Sequence, residues 1–389
     1  MRCQSDTFIA RAIAGAVFSR LVLNTARRFV YPFAPALSRG LGVSLSAFTA
    51  LIAINQITGL LGILIGPLAD RIGYRKMMII GMLVTGLGML AVVAVPVYAV
   101  VLIALFGVGL GKSFFDPAIQ AWVGSHVAYH RRGLVVGIVE MAWAASTLIG
   151  IPLVAVLIER FGWKSPFLLL GALSLIGALG LYRMMPNDSA APANSGSLTD
   201  YREFYTQLAA SKPVMGMLGY AFFVNAANDN LFVVYGTWLE AGFGIGIVVL
   251  GMATSIIGVA ELFGEGLTAT LSDRFGLKRS LMVGLTLSCL SYIALPVGRT
   301  LPLALTGLFL LFLTYEFTIV TSFSLATELM PASRATMMAC LYAAGGCGRV
   351  VGALMGSTVW QAGGITATGG VSGALTCLGF ICLGLGLRS

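Results

Sequence analysis

Twelve predominantly apolar stretches, most of them about 20 residues or longer, follow one another along this 389-residue chain. A stretch of about 20 apolar residues, wound as a helix, crosses the roughly 30 Å hydrocarbon core of a bilayer. Inside lipid every backbone N–H and C=O must be satisfied within the protein, which leaves helices or closed barrels. The apolar runs are continuous rather than alternating, so helices are expected. They lie near 9–37, 45–69, 77–97, 98–124, 133–158 and 165–184, and again near 213–238, 247–270, 279–297, 301–328, 334–359 and 365–387. Between the sixth and seventh lies a polar stretch containing Pro186-Asn187-Asp188-Ser189 and Ser195-Gly196-Ser197. The expectation is an all-α membrane protein: a six-helix bundle over 1–184, a linker over 185–212 and a second six-helix bundle over 213–389. Within the linker, Asp200 to Tyr205 reads as a short surface helix.

Composition closes off the other classes. Charged residues are 10% of the chain and hydrophobic residues 58%, whereas soluble domains carry about 25% charged residues. That excludes a soluble enzyme, a disordered chain and a nucleic-acid-binding domain. The six Cys show no CxxC and no metal-ligand spacing, so neither a disulfide framework nor a zinc site is expected. The first apolar run leads directly into further spans and does not read as a signal peptide. His126 and His130 fall near the junction of spans four and five, and no H-E-x-x-H or Ser/His/Asp set accompanies them, so the chain does not read as an enzyme. Gly107 to Ser113 evokes a phosphate-binding loop, but Phe106 stands where its first Gly belongs and the segment is intramembrane.

Orientation follows from Lys and Arg in the connecting segments. With the N-terminus inside, fifteen of the 24 fall inside and four (Arg39, Arg160, Lys164, Arg299) outside. Both termini are therefore expected in the cytoplasm. The two halves also repeat. Ala69-Asp70-Arg71-Ile72-Gly73 matches Ser272-Asp273-Arg274-Phe275-Gly276 at an offset of 203, and Arg132 and Gly150 match Arg334 and Gly352 at 202. A duplicated unit of this kind places a binding site between the halves near the bilayer midplane.

Gly66-Pro67-Leu68-Ala69-Asp70-Arg71-Ile72-Gly73-Tyr74-Arg75-Lys76 resembles the loop 2–3 signature of the major facilitator superfamily, with a degenerate copy at Asp273. Tyr31-Pro32-Phe33-Ala34-Pro35 resembles the P-x-x-P element of its drug–proton antiporters, and Glu328 to Arg334 resembles the acid-to-Arg element closing span ten. The flavour is that of the sugar-efflux and drug-efflux permeases. Two positions depart from the pattern: Ile103 stands where many proton-coupled members carry Arg in span four, and Gly150-Ile151-Pro152 only loosely echoes the span-five antiporter element. The resemblance implies two pseudo-twofold-related bundles, a monomer and alternating access. It also implies that Asp70, Arg71, Arg75, Asp273, Arg274, Glu328 and Arg334 serve gating by joining the bundles in one open state. Topology control by positive charge alone is the other reading of those residues.

Ionisable groups inside spans are costly and are functional candidates by default. Arg20, Asn24, Arg27 and Tyr31 are spaced 4, 3 and 4 residues apart, which is one face of a continuous helix. They read either as a site for an anionic or polar group, or as a set in which Arg11 and Arg20 snorkel to an interface while Arg27 and Arg28 hold helix–helix ion pairs. Asn225, Asn228, Asp229 and Asn230 make span seven polar, and Asp229 is the repeat counterpart of Arg27. An Arg27–Asp229 pair, direct or through substrate, stands beside a water-lined helix break as the alternative. Lys112 and Asp116 are at i, i+4 and can pair internally. Low dielectric disfavours the charged form of a carboxyl, so Glu140, Glu261, Glu265, Asp116 and Glu316 are the proton-coupling candidates. Ion pairing with Arg27, Arg28, Lys112 or Arg349 is the alternative for Glu140, Glu261 and Glu265. Trp143, one turn from Glu140, is placed with the substrate-binding residues, whereas Arg349 reads as a structural partner.

The expected function is proton-coupled export of a small organic or amphiphilic compound, with no cofactor and no metal. Uptake or exchange of an organic anion is the alternative, and lipid flipping on the same scaffold a further one. The expected partners are the substrate, protons and the lipid bilayer, with no nucleic acid. The short loops and minimal termini point to a bacterial or archaeal inner membrane.

Overall fold

A computed structural model describes residues 2–58, 72–127, 129–186, 211–330 and 334–387. The chain is α-helical, with no strand among the described residues. It divides into two compact units, Met1–Ala193 with Ile247–Ser255, and Asn194–Gly246 with Ile256–Ser389. Residues 66–71 of the loop signature and the surface helix expected at 200–205 lie outside the described residues.

Nine helices among the described residues are long and apolar enough to cross a membrane. The count is consistent with twelve. The stretch Cys340–Gly386 is two helices meeting at Gly363 and Gly364, where φ reaches −170° and 58°. Span seven, Lys212–Phe232, is a 21-residue helix whose Asn225, Asn228, Asp229 and Asn230 dilute its apolar character. Span two begins as Leu45–Ile57, started by the Ser44 side chain accepting from the Ala47 N–H. Large apolar side chains cover much of the outer surface, among them Ile103 at 65% exposed, Met141 and Leu303. In water such a surface would drive aggregation; against hydrocarbon it is the expected covering. It also accounts for Ile103: span four turns that position outward and carries Lys112 on its buried side.

Two expected spans are shorter than their apolar runs. Span one is helical only over Arg2–Arg28, not to residue 37. Phe29 to Phe33 form a turn, and a short helix, Ala34–Leu41, follows and closes on Gly42 at φ 72°. Pro32 and Pro35 supply no N–H and disfavour helix in the residue before each. Tyr31 is therefore in the turn and not on the helical face of Arg20 and Arg27. Span seven likewise ends at Phe232 rather than 238, and the short helix Tyr235–Phe243 closes on Gly244 at φ 63°. The two closing glycines are 202 residues apart, so the repeat extends to these breaks.

Small residues set how closely helices approach. In the second unit, span eleven lays Gly345, Gly348 and Gly352 against span seven. A Cβ at Gly352 would stand 3.0 Å from the Asn230 backbone nitrogen, and one at Gly345 2.9 Å from Asn225 Nδ2. This seam brings Arg349 onto Asn225. Gly352→Val should therefore lower the stability of the detergent-solubilised protein by about 1–3 kcal/mol through overpacking. Gly370, with nothing within 4 Å of its would-be Cβ, is the control. Gly370→Ala should raise stability by about 0.5–1 kcal/mol, as expected for relief of helix glycine. Thermal melts of both variants check the pair.

Candidate functional site

The first unit gathers four of its intramembrane charges into one network. Arg20 on span one is the hub. Its Nε lies 3.2 Å from Asp116 Oδ1 on span four, and its Nη1 lies 2.9 Å from Glu140 Oε1 on span five. The same Nη1 donates to the Val139 carbonyl at 2.9 Å. Lys112 Nζ binds the other oxygen of Asp116 at 2.7 Å and donates to Asn24 Oδ1 at 2.6 Å. Gln120 donates to Glu140 Oε1 at 2.8 Å. Two cations and two carboxylates thus hold spans one, four and five together. A guanidinium suits this position because its planar fork presents several donors at once. Pro117 sits inside the span-four helix directly after Asp116, and a proline there leaves a backbone carbonyl one turn back without its usual helical donor.

The two carboxylates are not equivalent. Asp116 is held by both cations, and its side chain is 29% exposed. Glu140 meets one cation and one amide, and its side chain is 44% exposed. Trp143, one turn beyond Glu140, carries the Arg28 guanidinium 4.2 Å from its ring centroid and Lys112 Nζ at 5.3 Å. Such cation–π contacts favour keeping both charges in a poorly hydrated place. The network therefore includes Arg20, Asn24, Asp116, Glu140 and Trp143 of the expected residues. Arg27 donates to Gln56 Oε1, and Gln56 donates to the Tyr31 hydroxyl. Gln56 and Gln120 were not anticipated from sequence. A glutamine inside an apolar span is the signal each offers.

The second unit has its own polar centre. Asn225 Oδ1 accepts from Arg349 Nε at 3.1 Å and from the Tyr315 hydroxyl at 3.3 Å. Asp229 Oδ2 stands 3.9 Å from Arg349 Nε. Asn230 donates to the Ser372 hydroxyl at 3.0 Å, which in turn donates to the Ala227 carbonyl at 2.8 Å. Arg27 and Asp229 are thus each engaged inside their own unit. Glu261 is buried at 5% exposure, but Glu265, one turn later, is exposed. Glu316 is half-buried against Gly264, which lies between them in sequence.

The residues assigned to gating are spread among several settings. Asp70 and Arg71 lie outside the described residues, as do the side chains of Asp273 and Arg334. Arg75 is buried; it donates to the Tyr182 carbonyl and stacks over the Tyr182 ring at 4.8 Å, which ties the start of span three to the end of span six. Arg274 is exposed. Glu328 lines a cavity of about 590 Å³ with Phe275, Lys278 and Arg279.

Removing one member of a buried ion network leaves its partners uncompensated, typically at a loss of 3–5 kcal/mol. Arg20→Gln should lower stability by about 3 kcal/mol, toward the lower end because Glu140 is partly exposed. The double variant Arg20→Gln/Glu140→Gln, which keeps the neutral Lys112–Asp116 pair, should recover at least half of that loss in thermal melts, while remaining inactive in transport.

The family model described as Major Facilitator Superfamily matches residues 16–226 and 217–388. The chain is 27% identical over 301 residues to the uncharacterized MFS-type transporter YceJ of Bacillus subtilis (strain 168), covering 76% of this chain and 75% of that protein. It is 26% identical over 276 residues to the multi-drug resistance efflux pump PmrA homolog of Lactococcus lactis subsp. lactis (strain IL1403), covering 68% and 67%. Among solved structures, that of the peptide transporter POT in complex with sulfate aligns with a TM-score of 0.80 at 15% identity, over 97% of this chain and 94% of that one, a likeness of fold. With family matches that together run from residue 16 to residue 388, the chain belongs to the Major Facilitator Superfamily of membrane transporters.

Proposed function

We propose that this transporter exports small organic or amphiphilic compounds in exchange for protons, by alternating access, with 1–184 and 213–389 as its two bundles. Its likeness to proteins named multi-drug resistance efflux pumps supports export. The asymmetry of Lys and Arg along the chain supports cytoplasmic termini, and the short loops support a bacterial or archaeal inner membrane. We take the working unit to be the monomer.

The observation that carries proton coupling is the unequal holding of the two carboxylates on Arg20. With all four groups ionised, Arg20, Lys112, Asp116 and Glu140 sum to zero charge. A proton on Glu140 converts the network to net positive and frees one edge of the Arg20 guanidinium. Asp116, gripped by two cations, keeps its structural pair throughout. Glu140, with one cation and more exposure, is the group best placed to exchange protons. Arg20, Asn24, Arg27 and Trp143 orient the substrate's polar end, and Tyr31 braces Gln56 behind Arg27. Asn225 and Asp229 supply the buried polar centre of the second unit.

A second reading is uptake or exchange of an organic anion. It is favoured by Arg20, Arg27, Arg28 and Lys112 outnumbering Asp116 and Glu140 in the first unit's spans.

Inside-out vesicles acidified within and loaded with a pH-sensitive dye separate the two. Export by antiport predicts proton release on addition of a transported compound, reduced to background in Glu140→Gln and retained in Glu261→Gln. Proton release undiminished in Glu140→Gln would remove Glu140 as the coupling group. Accumulation of an organic anion without proton release would favour the second reading.

A further inference from the structure

The second unit contains a pair of thiols that the proposed transport mechanism does not use. Cys289 on span nine and Cys377 on span twelve have their sulfurs 3.3 Å apart, and the Cys289 thiol also reaches the Gly373 carbonyl at 3.5 Å. The proximity is built by the helices themselves. Gly369, Gly373 and Cys377 recur at four-residue intervals on one face of span twelve. A Cβ at Gly373 would meet Ile293 at 2.9 Å, and Gly369 lies against the Tyr292 carbonyl. The glycine seam therefore holds the two backbones at close approach along the line that ends on the cysteines. A disulfide needs Cα atoms about 4.4–6.8 Å apart, and two helices reach such separations only where small residues line the contact.

The pair looks outward. Cys377 is exposed, as are its neighbours Leu378 and Ile381 on span twelve and Leu290 and Ile293 on span nine. In a chain that spans the membrane, this apolar surface meets hydrocarbon. Cys289 is twelve residues beyond Leu277, the first residue of its helix, or about 18 Å along the axis at 1.5 Å per residue. That depth is well inside a core about 30 Å thick.

We propose that Cys289 and Cys377 form a lipid-facing dithiol that a membrane-soluble oxidant of the quinone class closes to an intramolecular disulfide. Two S–H bonds break and one S–S bond forms. The two electrons and two protons pass to the quinone, which leaves as quinol. The bond staples span nine to span twelve and closes a loop 88 residues in separation. Closing a loop of that size constrains the unfolded chain and stabilises the folded one. A thiol reductant reopens it.

The test uses the full-length protein in proteoliposomes, exposed either to a fully substituted ubiquinone analogue or to the membrane-impermeant oxidant tetrathionate. Cysteines are then counted by mass-tag alkylation after denaturation. The chain has six Cys. The quinone should lower the count from six to four, reversibly with dithiothreitol, and raise the thermal midpoint; tetrathionate should leave it at six. Cys289→Ser and Cys377→Ser should each stay at five under the quinone. If a serine variant fails to fold, the corresponding Ala variant takes its place, and peptide mapping of the oxidised wild type identifies the linked pair directly. An unchanged count in the wild type, a disulfide joining other cysteines, or a cross-link between two chains would each overturn the proposal.

Discussion

Arg20 holds two carboxylates from two different helices within an apolar surround. Much else in the first unit depends on that arrangement. A charge placed in hydrocarbon is tolerated only where it is paired and hydrogen-bonded. Once Arg20 is on span one, Asp116 and Glu140 must come to it, Lys112 must complete Asp116, and Asn24 and Gln120 must complete Lys112 and Glu140. The helices carrying these groups are thereby fixed in rotation about their axes. Ile103 then faces outward and Lys112 inward without any further rule.

The second unit solves the same problem with fewer charges and closer backbones. Its glycine seam on span eleven lets Arg349 lie near Asp229 and within hydrogen-bonding distance of Asn225. A polar network in low dielectric is stabilising when its members are satisfied and costly when one is removed. The two units thus use complementary means: a four-charge network in one, and an amide-centred network held by close helix packing in the other.

The spans themselves were legible because hydrocarbon thickness imposes a length and hydropathy imposes a composition. The polar positions were legible too, because an Arg or Asp inside an apolar run stands out one residue at a time. What spacing could not show was who meets whom. Arg20 and Asp116 are 96 residues apart, and no local periodicity connects them. The expected helical face through Tyr31 failed for a local reason that the sequence did contain. Pro32 and Pro35 end the helix at Arg28, so no helical face runs on to Tyr31. Gln56 and Gln120 are harder to read because neutral amides do not announce themselves as charges do, although each completes a charged neighbour. The likeness of Glu261 and Glu265 in sequence concealed that one is buried and the other exposed.

The central claim is that one partly exposed carboxylate on the Arg20 network changes its protonation as the transporter works. Infrared difference spectroscopy on the protein in lipid reads this most directly, by following the C=O stretch of a protonated carboxyl on addition of a transported compound. The account predicts a substrate-induced loss of that band in the wild type and in Glu261→Gln, and its absence in Glu140→Gln. A band that persists unchanged in Glu140→Gln would contradict it and place the exchanging proton elsewhere.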